Sequence, residues 1–143
     1  MKLRLVLLGK TRRAECRALL EDYLSRIRRF AECECLELRE ASPAALRRLK
    51  IEKTAACVLV DAAGKHLTSA QFARWLGELR DHGTRELVLL CGDASGFPED
   101  LRRRAVDKLS LSALTMPHEL ARVVLAEQIY RAFTILAGHP YSK

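Results

Sequence analysis

The sequence predicts an α/β fold, a mostly parallel sheet with helices on both faces, and three observations lead to that prediction. Strand-like and helix-like segments alternate along the whole chain, which is the pattern that α/β sheets produce. Two mainly apolar runs, Ala55–Asp61 and Glu86–Cys91, resemble central parallel strands that are buried on both faces. No repeat, low-complexity stretch or linker divides the 143 residues. We therefore expect one domain over residues 1–143.

Local signals place the individual elements. Apolar residues recur at helical spacing in the first helix, Ser42-Pro43 is a helix-start pair, and Thr68 with Gln71 can form a capping box. The expected strands are Lys2–Leu8, Cys33–Leu38, Ala55–Asp61, Glu86–Cys91 and Lys108–Leu111. The expected helices are Thr11–Phe30, Ser42 to about Lys53, Thr68 to about His82, Pro98 to Arg104, and His118 to about Ala137.

The charge of the chain favours an anionic partner. The formal net charge is +7, and a basic excess on a small domain suits a nucleic acid, a nucleotide or a membrane surface without choosing among them. The apolar fraction of 49% excludes a disordered chain. The candidate phosphate-binding side chains are Arg12, Arg13, Arg102, Arg103 and Arg104.

The cysteines and the last helix restrict the class of protein further. Five cysteines, an odd number, in a chain that starts without a secretory signal predict reduced thiols in the cytoplasm. Cys33-x-Cys35 has no matching second pair, so we interpret the cysteines as small buried hydrophobes and expect no metal site. Charges interrupt the apolar stretch Leu120–Ala137, which excludes a membrane span. Such a helix is usually buried in a core or at a subunit interface.

The ends of the predicted strands are the expected place for chemistry. In open parallel sheets, ligands bind at the carboxyl ends of the strands, here the loops after Val60, after Cys91 and after Leu111. The loop Gly92–Gly96 lets backbone approach a ligand closely, but it lacks the spacing of a dinucleotide site or a P-loop. By itself it is more typical of an ordinary strand-to-helix turn.

The C-terminal third carries a more specific signal. The stretch 109–118 (LSLSALTMPH) leads into 122–133 (RVVLAEQIYRAF), and the chain closes with His139-Pro140-Tyr141. Together with the opening MKLRL, Gly9-Lys10 and Gly64-Lys65, this resembles the RlmH family. These SPOUT-class enzymes methylate N3 of a pseudouridine in large-subunit (23S) ribosomal RNA. The resemblance covers the whole chain, specifically at the C-terminal end and loosely over residues 11–57.

The resemblance implies a fold, a cofactor and partners. It implies an α/β sheet whose C-terminal segment forms a deep trefoil knot, with S-adenosylmethionine bent in the knot. It also implies a homodimer formed through the last helix and, as substrate, ribosomal RNA in the assembled ribosome. By position, the cofactor contacts are Val60, Gly92, Leu111, Ser112, Ala113, Leu114, Thr115 and Met116.

Two departures from the family pattern leave an alternative open. The family usually has two adjacent glycines where this chain has Gly92-Asp93, and often a histidine where it has Ser142. Aspartate tolerates positive φ better than most residues but worse than glycine. A non-catalytic ribosome- or RNA-binding protein of the same fold is therefore the alternative function. A receiver-type or flavodoxin-like domain is disfavoured, because Gly9-Lys10 is not an acidic pair.

The chemistry of N3 methylation indicates which residues are candidates for catalysis. N3 of a uracil-type ring must lose a proton and lie in line with the methyl group. His118 is a candidate base or a helix-start residue bonded to backbone, and Arg122 a candidate for phosphate binding or for a carboxylate pair. Tyr141, with His139 and Lys143, is expected to contact RNA, the other interpretation being a frayed tail.

Overall fold

The computed structural model describes residues 1–92 and 96–141, and within them five strands alternate with five helices. The strands are β1 (Lys2–Leu8), β2 (Cys33–Leu38), β3 (Ala56–His66), β4 (Glu86–Cys91) and β5 (Asp107–Ser110). The helices are α1 (Ala14–Ile27), α2 (Pro43–Arg48), α3 (Ser69–Asp81), α4 (Glu99–Arg104) and α5 (His118–Leu136). Asp93, Ser142 and Lys143, which carried expectations above, lie outside the described residues.

The strands form one sheet in the order β2-β1-β4-β3-β5, and every pairing is parallel. The predicted α/β class with a parallel sheet is thus confirmed. A flavodoxin-like sheet would have the order 2-1-3-4-5. Here β4 lies between β1 and β3, so the connection from β2 to β3 passes over two neighbouring strands. The trefoil knot stays a prediction, since the order of pairing does not define threading.

Two helical layers cover the sheet. Leu3, Leu5 and Leu7 of β1 point to the layer of α1, α3 and α5, where α5 packs against both neighbours. Val6 and Leu8 point to the other layer, where α2 and α4 contribute the small cluster around Leu101. Strands β1 and β4 are buried on both faces. Of the two runs predicted as buried central strands, β4 is buried throughout, whereas β3 is buried only over residues 57–59.

The helix starts follow the sequence signals closely. The Ser42 hydroxyl accepts a hydrogen bond from the Ala45 amide at 3.1 Å. Thr68 and Gln71 form the expected capping box, each side chain accepting from the other's backbone amide. Both helix starts are thereby confirmed.

Two helices are shorter than expected. The first begins at Ala14 instead of Thr11, because Thr11 is fully buried and its amide donates to Glu37 at 2.9 Å. The second ends at Arg48 instead of about Lys53, and two residues later Lys50 adopts a φ of +50°, which stops a right-handed helix.

Strand β3 runs five residues past its expected end at Asp61. It pairs with β5 before and after an irregularity between Val60 and Lys65. A Cβ on Gly64 would lie 2.7 Å from the Leu109 amide nitrogen, so only glycine allows the two backbones to approach this closely. The extension brings the chain after Val60 alongside β5.

The cysteines are mostly buried in the core. Cys16, Cys33, Cys57 and Cys91 are buried free thiols and Cys35 is half-buried, which confirms their interpretation as small hydrophobes. In the part of the chain that the structure describes, no helix is long and apolar enough to cross a membrane.

Candidate functional site

A cavity of about 240 Å³ lies at the carboxyl ends of β3, β4 and β5, where the sequence places the ligand-binding loops. All three expected loops, after Val60, after Cys91 and after Leu111, contribute to its wall. The lining residues are Val60, Asp61, Ala62, Gly92, Gly96, Phe97, Leu111, Ser112, Leu114, Thr115, Met116, His118 and Ala121. The wall is therefore mostly apolar side chain and loop backbone, with few polar side chains.

The structure brings together seven of the eight residues proposed as cofactor contacts. Val60, Gly92, Leu111, Ser112, Leu114, Thr115 and Met116 line the cavity. Ala113 is exposed and does not line it. It lies in the middle of the loop that the other five residues after β5 form.

Serine side chains shape the loop after β5. The Ser110 hydroxyl donates to the Ser112 carbonyl at 3.0 Å, and the Ser112 hydroxyl accepts from the Leu114 amide at 2.9 Å. These bonds hold the loop in a turn that presents Leu114 at the cavity, although 78% of Leu114 is exposed to solvent. An apolar side chain this exposed beside a cavity is typical of a binding surface.

Gly92 occupies a confined position in the wall. A Cβ there would lie 3.2 Å from the Gly96 carbonyl oxygen and 3.2 Å from Cζ of Phe97. A larger side chain would therefore push into the cavity or displace Phe97. The neighbouring Asp93, which stands where the family usually has a second glycine, is outside the described residues.

Sequence reasoning missed the carboxylate of the site. Asp61 lines the cavity, and one of its oxygens accepts from the Ala63 amide at 3.0 Å, which orients the group. The signal was present: an acidic residue follows a buried apolar run at the carboxyl end of a central strand. Phe97 was missed as well, because its role depends on how the chain returns after Gly92.

His118 and Glu119 open helix α5 at the edge of the cavity. His118 is exposed and lines the cavity, and no side-chain hydrogen bond of His118 occurs among residues 1–92 and 96–141. Glu119 accepts from the amides of Arg12 and Arg13, both at 2.9 Å. The bond from Arg13, and then that from Arg12, keeps the pKa of Glu119 below its ordinary value. These hydrogen bonds thus link the start of α5 to the residues just before α1.

Arg122 lies beneath this junction and does not line the cavity. Its side chain is fully buried, donating to the Thr11 hydroxyl at 2.8 Å and to the Leu8 carbonyl at 2.6 Å. Its Nε has no partner, and no carboxylate pairs with it in the described part of the chain. Within one subunit the guanidinium joins α5 to the end of β1, and a phosphate cannot reach it.

The tail is folded back onto α5 as far as Tyr141. Its ring meets the Tyr130 ring edge-on at 4.7 Å between centroids, and the Arg131 guanidinium lies 5.1 Å from its centroid. Arg131 also forms an ion pair with Glu127 at 2.6 Å, one turn earlier in α5. Burial raises the pKa of Tyr141 to about 12. His139 is exposed, and Lys143 is outside the described residues.

The tail is remote from the cavity of its own subunit. The Tyr141 hydroxyl lies 3.4 Å from a carboxylate oxygen of Glu127, which is nine residues, or about 14 Å of helix rise, beyond His118. His118 and Tyr141, both proposed as catalytic, therefore lie apart within one subunit, and Tyr141 does not line the cavity.

The basic candidates differ in what their side chains do. Arg12 and Arg13 are exposed beside Glu119, at the cavity end of the molecule. Arg103 lies 3.6 Å from Glu99, and Arg104 donates to the Glu52 carbonyl at 2.8 Å. No group of three or more potential metal ligands occurs in the residues that the structure covers.

Comparisons with known proteins agree with this geometry. The family model described as "Predicted SPOUT methyltransferase" matches residues 1–142. A protein named ribosomal RNA large subunit methyltransferase H from Geobacter sp. (strain M21) is 42% identical, with 99% of this chain and 98% of that protein covered. A protein of the same name from Koribacter versatilis is 43% identical, with 99% and 97% covered.

A solved structure supports the fold alone. It is a probable rRNA-methyltransferase from Porphyromonas gingivalis, with a TM-score of 0.50 and 16% identity, and the match covers 94% of this chain and 70% of that one.

Proposed function

The chain belongs to the SPOUT methyltransferase family, and from that premise we propose that it transfers a methyl group from S-adenosylmethionine to N3 of a pseudouridine in large-subunit ribosomal RNA. The observation that carries the proposal is the cavity in which the loops after β3, β4 and β5 meet. The full-length relatives named as ribosomal RNA large subunit methyltransferases support the RNA substrate. The proposed place of action is the cytoplasm, where assembled ribosomes are available.

The residues of the cavity fit S-adenosylmethionine. Val60, Leu111 and Met116 offer apolar walls for an adenine ring, while loop amides and carbonyls offer hydrogen bonds to its edge. Gly92 leaves open the space that a Cβ would fill. Asp61 is the one carboxylate among the described lining residues, and it suits a ribose hydroxyl or an ammonium group.

The cavity also contains side chains that can accept the proton that N3 must lose. S-adenosylmethionine supplies an electrophilic methyl group when it is bound. His118 at the cavity edge and Asp61 in its wall can each accept a proton, and the exposed position of His118 suits a substrate that arrives from outside. Enclosure by Leu114 and Met116 would exclude water from the reacting atoms.

We assign Arg122 a positioning role in this reaction. Its two hydrogen bonds tie α5 to Leu8 and Thr11, and Glu119 ties the same helix to Arg12 and Arg13. These contacts fix where His118 stands relative to the sheet edge. Arg122 thereby acts through the backbone geometry of the cavity and does not touch substrate.

A second copy of the chain would complete the site. Tyr141 packs on α5 beside Glu127, about 14 Å of helix rise from His118, and does not line the cavity of its own subunit, so its proposed role is in the cavity of a partner subunit. Half-buried Val124 lines a groove of about 150 Å³ together with Leu67 and Phe72, which offers a surface for such a copy. Nine of the 19 residues of α5, including Ile129, are already buried within the subunit, so the surface left for a partner is smaller than the apolar sequence suggests.

An inter-subunit complementation experiment tests the cavity and the dimer together. Gly92→Val should abolish S-adenosylmethionine binding in calorimetry, because the added methyl groups collide with Gly96 and Phe97. The control is Ala113→Val, which places the same valine side chain on an exposed residue outside the cavity wall. Deletion of residues 139–143 should preserve cofactor binding and abolish methylation.

Co-expression of Gly92→Val with the tail-deleted chain is the decisive arm. In a mixed dimer the intact cavity of one subunit receives the intact tail of the other, so methyl transfer to ribosomes should return. If the mixed dimer forms and stays inactive, the tail does not act across the interface. If the tail-deleted chain alone methylates at the parent rate, Tyr141 has no part in the reaction.

A further inference from the structure

Positive charge is concentrated on the layer formed by α2 and α4. Helices α2 and α4 together carry five arginines against two carboxylates, a surplus of three in a chain of net charge +7. Helices α1, α3 and α5 of the other layer together carry six cations and seven carboxylates. Among the helices, the basic surplus therefore lies in the layer opposite α5, and further exposed arginines flank α1 in the turns before and after it.

A cavity lies inside this basic layer, separate from the one at the strand ends. It has a volume of about 400 Å³ and is lined by Pro43, Leu46, Arg47, Lys50, Ile51, Asp100, Leu101 and Arg104. Its floor is apolar and its rim carries three cations and one carboxylate. An apolar floor with a cationic rim fits a nucleotide, whose base or sugar can lie on the floor while a phosphate meets the cations.

The local backbone holds two of these cations in place. Arg104 donates to the carbonyls of Ile51 at 3.3 Å and of Glu52 at 2.8 Å, which ties α4 to the turn after α2. Lys50 adopts a φ of +50°, a conformation that L side chains rarely adopt and that turns the chain at the cavity. Arg47 and Lys50 are exposed and form no ion pair within the described residues.

The basic cavity and the candidate methylation site are separate, but consecutive segments of the chain line them. Gly96 and Phe97 line the cavity at the strand ends, and Leu101 and Arg104 of the following helix line the basic one. Six helical residues rise about 9 Å, so one RNA strand can occupy both cavities with a few nucleotides between them.

We propose that the cavity between α2 and α4 is an RNA-binding exosite, which holds a segment of the substrate RNA outside the methylated nucleotide. Arg47 and Lys50 contact its phosphate, and Leu46, Ile51 and Leu101 form the apolar floor. The proposal rests on the proposed function, since it assumes an RNA substrate. The exosite supplies affinity and register for a small domain whose strand-end cavity can enclose little more than the reacting groups.

The double variant Arg47→Gln/Lys50→Gln tests the exosite. Wild-type and variant protein are titrated with ribosomes that lack the modification, at several KCl concentrations. Loss of two phosphate contacts should weaken binding about tenfold and reduce the slope of log K against log salt by about 1.4. In the methylation assay KM for ribosomes should rise by about the same factor, with kcat within about twofold and S-adenosylmethionine affinity unchanged. A thermal melt verifies folding.

Two further variants make the test specific. Arg29→Gln/Arg74→Gln removes the same charge from exposed residues away from α2 and α4, and should leave the ribosome affinity within about twofold. Asp100→Asn removes the one carboxylate of the rim and should tighten binding.

The outcomes separate the two proposals. Equal weakening by both double variants, or no weakening by Arg47→Gln/Lys50→Gln, overturns the exosite. If wild-type protein fails to methylate ribosomes, the proposed function is wrong, and the titration still shows whether this face binds RNA.

Discussion

The two helical layers of the molecule differ in length, burial and charge. Helices α1, α3 and α5 have 14, 13 and 19 residues and contain 17 of the 18 buried helical residues, whereas α2 and α4 have six residues each. The long helices are balanced in charge, and the short ones carry the basic surplus. A helix of six residues contributes little burial. The first layer therefore stabilises the fold, and the second leaves its surface available for an anionic partner.

The largest expected effect comes from placing a charge in the stabilising layer. Ile129 is fully buried on α5, so Ile129→Asp should cost at least about 4 kcal/mol of unfolding free energy and leave the chain unfolded. The matched change in the other layer, Leu46→Asp on α2, affects a half-buried side chain and should cost about 1 kcal/mol. Far-UV circular dichroism and urea titration measure both. Similar losses from the two variants would contradict the division between the layers.

Arg122 is the point at which the stabilising layer reaches the site. Arg122→Met leaves the Leu8 carbonyl and the Thr11 hydroxyl without partners, while it also removes a buried charge. We expect a net loss of about 2 kcal/mol and weaker cofactor binding, with partial recovery of both in Arg122→Lys. Urea titration and calorimetry are the measurements. If Arg122→Met keeps the parent stability and cofactor affinity yet loses methylation, the guanidinium acts on the reacting groups and the positioning role is wrong.

The smallest expected effect concerns the thiols, which lie mostly on the stabilising side. Burial raises the pKa of Cys33 to about 11 and those of Cys35 and Cys91 to about 12, from an ordinary 9.0. Because the thiolate is the reactive form, iodoacetamide at pH 8 should label these residues only after unfolding. The protonated thiols favour the folded state fully below pH 9, and this contribution is lost as the pH rises towards 12. Rapid labelling of these thiols in native protein, detected by mass spectrometry, would contradict their burial in the layer of α1, α3 and α5.

The sequence predicts the regular parts of the fold because their signals are local. The bounds of β1, β2 and β4 agree residue by residue with expectation, and the capping pairs mark the helix starts. Tertiary contacts decide the rest. The first turn expected for α1 is unwound because Thr11 is used to bind Arg122 and Glu37. The extension of β3 depends on Gly64 facing β5, a strand 43 residues away that no local pattern reveals.

In the candidate site, too, local sequence signals predict some features and tertiary contacts decide the others. Loops at strand ends are predictable from the alternation of elements, and seven of eight expected contacts line the cavity. The burial of Arg122 is not predictable, because its partners Leu8 and Thr11 lie more than 100 residues earlier in the chain. Neither is the distance between the tail and its own cavity, which depends on the direction of α5. A sequence shows which residues could take part in chemistry, whereas packing in the folded protein decides which other side chains they contact.

The most direct test of the central claim is methyl transfer from labelled S-adenosylmethionine to ribosomes from a strain that lacks the modification. The account predicts label in large-subunit RNA, at one nucleotide that mass spectrometry identifies as N3-methylpseudouridine, and none on free pseudouridine. Parent protein should be active, and Gly92→Val should not. Ribosome binding without any transfer of label would contradict the account and favour the alternative, a non-catalytic RNA-binding protein of the same fold.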